Sequence, residues 1–144
     1  MIPEIKVDTG VKRIKVNENG DCIELHLGDQ TFATRFFEMF DRVNEKIDAM
    51  QPEALELDKK YKDAGELERK RAMCEFNVSL HKVLKDEMDN FFGEGTCRKV
   101  FGDIIPHYTL YLDFFDQIKV FFAEYAKERV EKMSKYSTER RGNA

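Results

Sequence analysis

A chain of 144 residues, 42% hydrophobic and 36% charged, is long enough to bury a sizeable core in one domain without metals or disulfides, and too hydrophobic for intrinsic disorder. A net charge of -4 and a pI near 5.5 set up a field that opposes phosphate backbones, which argues against nucleic-acid binding. Three widely spaced cysteines (Cys22, Cys74, Cys97) rule out a paired disulfide framework, the start MIPEIKVDTG lacks the apolar run of a signal peptide, and no stretch approaches the roughly 18 apolar residues of a membrane span. The expectation is a cytoplasmic protein with no membrane partner.

The first element is a β-hairpin over about 11–27. Ile14 and Val16 alternate with Arg13 and Lys15, and Ile23, Leu25 and Leu27 alternate with Glu24 and His26, around Asn19-Gly20. A two-residue type I′ turn there would set Val16 opposite Ile23, Ile14 opposite Leu25 and Lys15 opposite Glu24. From Thr31 the period changes. Phe32, Phe36, Phe40, Val43, Ile47 and Met50 define an amphipathic helix over about 31–50, and Gln51-Pro52 is expected to end it and start the next.

The second helical region spans about 52–92. Its first half, 53–70, is polar, and its second half carries Met73, Phe76, Leu80, Val83, Leu84 and Phe91, with Gly65 as the place for a break or bend. A glycine-rich turn follows, and Thr96 is positioned to cap a short helix over 96–101 that Gly102 stops. A last long helix over about 105–133 carries Tyr108, Tyr111, Phe114, Phe115, Ile118, Phe121, Phe122, Tyr125 and Met133. Residues 134–144 show no apolar period and read as a flexible polar tail. The whole is an α+β fold, mostly α: one domain over 1–133, with the hairpin packed on a bundle of three to five helices.

Catalytic signatures are missing. Cys22 with His26 and Cys97 with His107 match no zinc spacing, so no metal is expected and the cysteines read as buried packing residues. Cys74 and His81 share a helix face but have no loop nucleophile or orienting carboxylate. Neither GxxxxGK[ST] nor GxGxxG occurs, so no cofactor is expected. One coincidence of a helix start, two glycines and two cations, at Gly93 to Lys99, would suit an anion. The chain therefore reads as a non-enzyme.

The most unusual feature is a set of adjacent aromatic pairs: Phe36-Phe37, Phe91-Phe92, Phe114-Phe115 and Phe121-Phe122. Neighbours on a helix point about 100° apart, so both rings of a pair cannot lie in one narrow seam. Either the helices are buried on two sides or one ring of a pair reaches a partner. The candidate partner-binding rings are Phe37, Phe115 and Phe121, facing a partner helix or another copy of the chain.

The segment from Phe91 to Gly102, FFGEGTCRKVFG, followed by a helix with a Phe114-Phe115-Asp116 step, resembles small proteins encoded near the tail genes of tailed bacteriophages and prophages of Gram-positive bacteria. These are described as tail assembly chaperones or left without a function. The resemblance implies a non-enzymatic assembly factor in the cytoplasm of the bacterial host. It would bind the tail tape measure protein, keep it soluble and help tail tube subunits gather around it; a homo-oligomer is the separate expectation that the aromatic pairs raise. Within the motif, Gly93, Gly95 and Gly102 read as structural turn residues, with Phe92 and Phe101 packing across the connection. The polar segment 53–70 has no counterpart in that resemblance. Two alternatives stand beside it: a virion structural component, and a nucleic-acid-binding or host-directed regulator using Lys12, Arg13, Lys15, Arg98, Lys99, Arg140 and Arg141.

Overall fold

The structure, a computed structural model, describes residues 1–142. Its elements run β1 (Val11–Lys15), β2 (Cys22–His26), α1 (Gln30–Lys60), α2 (Glu66–Phe92), α3 (Thr96–Phe101) and α4 (Tyr108–Gly142). This is the α+β, mostly helical architecture the periodicities call for.

The hairpin forms, but in a different register. Ile14 lies opposite Ile23 and Lys15 opposite Cys22, and the Val16 N–H donates to the Asp21 carbonyl at 2.9 Å, so the loop is the four residues 17–20 rather than two. The Asn17 side chain explains the longer loop. It accepts from the Asp21 backbone N–H at 3.2 Å, and its amide donates to the Asp21 carboxylate at 2.7 Å and to the Lys99 carbonyl of α3 at 3.0 Å. A slip of two residues keeps every side chain on its original face. Ile23, Leu25 and Leu27 therefore still enter the core. Gly10 and Gly28 cross beneath Tyr125, and the Thr9 carbonyl leaves no room for a Cβ at Gly28.

Asp29 caps α1, its carboxylate accepting from the Thr31 backbone N–H at 2.9 Å. Contrary to the expected break, α1 passes through Pro52 and runs to Lys60. The proline deprives only the carbonyl of Asp48, and both residues lie on the exposed side where water can serve it. Beyond it, Ala54 and Leu57 still pack on the core, and a break at Gln51 would strip them away. The true turn is Tyr61–Gly65, so α1 and α2 form a long antiparallel hairpin with the polar 53–70 segment at its tip. Asp58 and Arg69 meet across that tip at 3.4 Å.

One hydrophobic cluster joins β2, α1, α2, α3 and α4 through Leu25, Phe36, Val43, Leu84, Met88 and Phe115, among others. The last helix is longer than its apolar period. It begins at Tyr108 rather than 105, and it continues through 134–142, where a flexible tail was expected. Residues 143 and 144 of that tail lie outside the described residues.

Candidate functional site

The aromatic pairs divide between core and surface. Phe36 and Phe115 are both completely buried, so Phe115 is a core residue and not the exposed anchor expected of it. Its ring meets Phe36, Phe40 and Phe114. Phe37 does stand out, 46% exposed, with its ring on Phe122. Phe121 is half-buried, and the Lys12 ammonium lies 5.1 Å from its ring centre.

Phe121 also ends an apolar groove of about 440 Å³ between the hairpin, α3 and α4. Leu110, Phe114 and Phe121 form its α4 wall, and Ile14, Val16 and Phe101 the opposite one, with Lys15 and Asp113 also lining it. Leu110 to Phe121 spans eleven residues, about 16 Å or three helical turns. Glycine connections lead into and out of α3, which packs on α4 through Phe101 on Tyr111 at 4.9 Å. Gly93, Gly95 and Gly102 have φ of 118°, 86° and 77°, a region that disfavours residues with a Cβ. Phe92 and Phe101 do not meet one another; both pack on Phe114, at 5.5 and 6.5 Å.

A second cavity, about 700 Å³, opens between α2, α3 and the α3–α4 connection. At its floor Cys97 Sγ lies 3.1 Å from the Tyr111 hydroxyl, which lies 2.7 Å from His81 Nδ1. Burial pushes the Cys97 thiol pKa up, against the opposing Tyr111 contact, and burial followed by the Cys97 contact pushes Tyr111 far up. Burial, then Lys85, holds His81 below its ordinary 6.5, against a smaller pull from Asp89. The chain of three is therefore uncharged near neutral pH. A thiol held protonated is a poor nucleophile, so the arrangement satisfies buried polar atoms rather than activating one. Cys74, expected to pack beside His81, is exposed.

The anion reading of the glycine turn also fails. Asp89 Oδ1 accepts from the Cys97 backbone N–H at 2.9 Å and fills the α3 start with a carboxylate of the chain itself. Thr96 is not the cap: its hydroxyl donates to the Gly93 carbonyl at 2.7 Å. The seven cations of the regulator reading do not converge. Arg13 and Lys99 line one groove, Arg98 is paired with Asp103 at 2.7 Å, and Arg140 and Arg141 sit in the last turn of α4, about 28 Å beyond Phe121. Among the described residues no group of three His, Cys, Asp or Glu is placed to hold a metal ion, and no helix is long and apolar enough to cross a membrane.

Sequence reasoning missed the groove because its walls come from three separated segments. The signal that was available is the 4-4-3 spacing of Leu110, Phe114, Ile118 and Phe121, hidden among other aromatics of α4.

The fold is thus an α+β helical bundle with an apolar groove, beside a larger cavity lined mainly by polar and charged side chains. The chain belongs to the family described as "Family of unknown function (DUF6673)", which matches residues 19–143 and so covers β2 and all four helices. No curated protein and no solved structure matches the chain.

Proposed function

We propose that this protein is a non-enzymatic assembly factor that binds an apolar helical segment of another protein in the groove between the hairpin, α3 and α4. The observation that carries this reading is the groove itself. Its α4 wall runs for three turns, the repeat over which an amphipathic helix presents i, i+4 and i+7 anchors. Leu110 is 40% exposed at one end, and the Phe121 ring, shielded by Lys12, closes the other. Phe37 extends the apolar surface elsewhere on the body.

The resemblance of the FFGEGTCRKVFG segment to tail-region phage proteins supplies the class of partner: the long helical tape measure protein, kept soluble in the host cytoplasm while tail tube subunits gather on it. Co-expression with a tape measure protein from the same genome, followed by affinity purification, tests this. A soluble complex that is lost with Leu110→Glu and weakened with Phe121→Ala supports the reading. Aggregation of the tape measure protein regardless of this chain overturns it.

A further inference from the structure

A sheet of two strands leaves one edge of each strand unpaired. The Val16 N–H donates to the Asp21 carbonyl and the Leu27 N–H to the Gly10 carbonyl, both at 2.9 Å. Bonded pairs alternate with unbonded ones in an antiparallel ladder, so the intervening Cys22, Glu24 and His26 turn their backbone N–H and C=O groups away from β1. The His26 carbonyl takes the Asp29 N–H at 3.1 Å; among the described residues no backbone group from outside the hairpin bonds to Cys22 or Glu24. The outer edge of β1 carries Arg13 and Lys15, cations of the kind that keep an edge from pairing. The edge of β2 instead borders a groove of about 310 Å³ whose other wall includes Phe32, Phe91 and Phe92. The charged lining of this groove is Arg13, Glu24 and Lys99, beside His26.

The chain also holds a strand-like segment without a sheet. Residues 1–9 are all exposed, Ile5 at 91% and Val7 at 78%. These two alternate with Glu4, Lys6 and Asp8, which is the period of a half-buried strand.

We infer that two copies of this chain exchange these segments, residues 4–8 of each adding a third, antiparallel strand to the free edge of β2 in the other. With Lys6 opposite Glu24, Glu4 meets His26, and Asp8 meets Cys22 at the end where Asn17 reaches Lys99. Arg13 stays on the far side of Glu24, its cross-strand neighbour. Ile5 and Val7 then stand opposite Leu25 and Ile23, on the core side of the sheet. Pro3, which has no N–H, falls where that group would point away from β2. A slip of two residues either way sets Glu4 or Asp8 against Glu24, so charge selects the register. A parallel strand could also keep Lys6 on Glu24, but its ladder is slightly less stable. The occupant is a second copy because the Thr9 carbonyl lies against Gly28, about 20 Å along the strand from Cys22, and a chain cannot bring its own Asp8 there. This pairing uses the opposite edge of the hairpin from the helix-binding groove and stands or falls without it.

Light scattering on the full chain, up to hundreds of micromolar, is expected to give twice 17.0 kDa. Lys6→Pro removes an N–H aimed at β2 from a segment outside the core, so it should give a monomer that melts at the wild-type temperature. Lys6→Glu should raise the dissociation constant of the dimer about tenfold, and adding Glu24→Lys should restore it. Disulfide trapping in a Cys74→Ser background reads the orientation: Asp8→Cys should cross-link to Cys22 of the other copy, doubling the mass, and Glu4→Cys should not. A monomeric wild type, a dimer indifferent to Lys6→Pro, no rescue by Glu24→Lys, or cross-linking through Glu4→Cys in place of Asp8→Cys would each overturn the inference. A monomer that still captures its helical partner would remove it and leave the proposed function standing.

Discussion

Asp89, three residues from the end of α2, accepts a hydrogen bond from the backbone nitrogen of Cys97 at the start of α3, at 2.9 Å. One carboxylate thus ties two helices across the glycine turn and serves an N–H that the short α3 cannot satisfy itself. It acts as a helix cap supplied from a different helix. Asp89→Ala should cost about 1 kcal/mol, the usual worth of a side-chain cap. Urea unfolding would measure the loss, and Asp89→Asn, which keeps the acceptor, should recover most of it. Equal loss in both variants would mean that the charge matters more than the bond.

The His81–Tyr111–Cys97 chain makes stability depend on pH. Since burial, aided by Lys85, holds the folded His81 below its ordinary 6.5, the unfolded chain takes up a proton first as pH falls. Stability from this group is complete above about pH 6.5 and is lost as pH drops through the folded value. Comparing melting temperatures at about pH 7.5 and about pH 5.5, the wild type should lose more than His81→Gln over the same window. An identical loss in the two proteins would assign the pH effect to other groups.

Phe115 and Phe37 look equivalent in sequence, each one half of an aromatic pair, yet one is completely buried and the other nearly half exposed. Phe115→Ala should destabilise by about 3–5 kcal/mol, the range for emptying an aromatic site in a core. Phe37→Ala should cost about 1 kcal/mol or less, because its ring already meets water on one side. Denaturant midpoints of the two variants against wild type check this directly.

Pro52 is the least comfortable residue of α1. In a helix interior proline forfeits a backbone hydrogen bond and crowds the preceding turn, at a cost of about 3 kcal/mol. Some of that is offset because proline also restricts the unfolded chain, by about 0.4–1 kcal/mol. Pro52→Ala should therefore stabilise the protein by about 2 kcal/mol, a gain that thermal unfolding would register. A neutral or destabilising result would indicate that α1 ends at Gln51, as local sequence preference suggests.

Much of the fold is legible from residue order alone. The period-2 alternation over 11–27 and the 3.6-residue period of Phe32, Phe36, Val43 and Ile47 specify a hairpin followed by an amphipathic helix, because the spacing determines which side chains share a face. The same logic placed Phe76, Leu80 and Leu84 in the core. The glycine turn at Gly93, Gly95 and Gly102 was equally readable, since a positive φ admits few other residues.

Four matters required the tertiary structure. The hairpin register depends on Asn17 reaching Lys99, 82 residues away, and local turn chemistry carries no trace of that contact. Whether α1 crosses Pro52 depends on the core contacts that Ala54 and Leu57 keep beyond it, which weigh against the proline penalty. Which ring of Phe114-Phe115 faces the core is determined by where α1 and α3 lie around α4, since the two point about 100° apart and both are equally apolar. The reach of α4 to Gly142 was hidden because an arm that packs on nothing in its own body needs no wide apolar arc. Sequence determined the elements and their inward faces, through periodicity; the fold determined register, helix ends and exposure, because these rest on contacts between residues far apart in the chain.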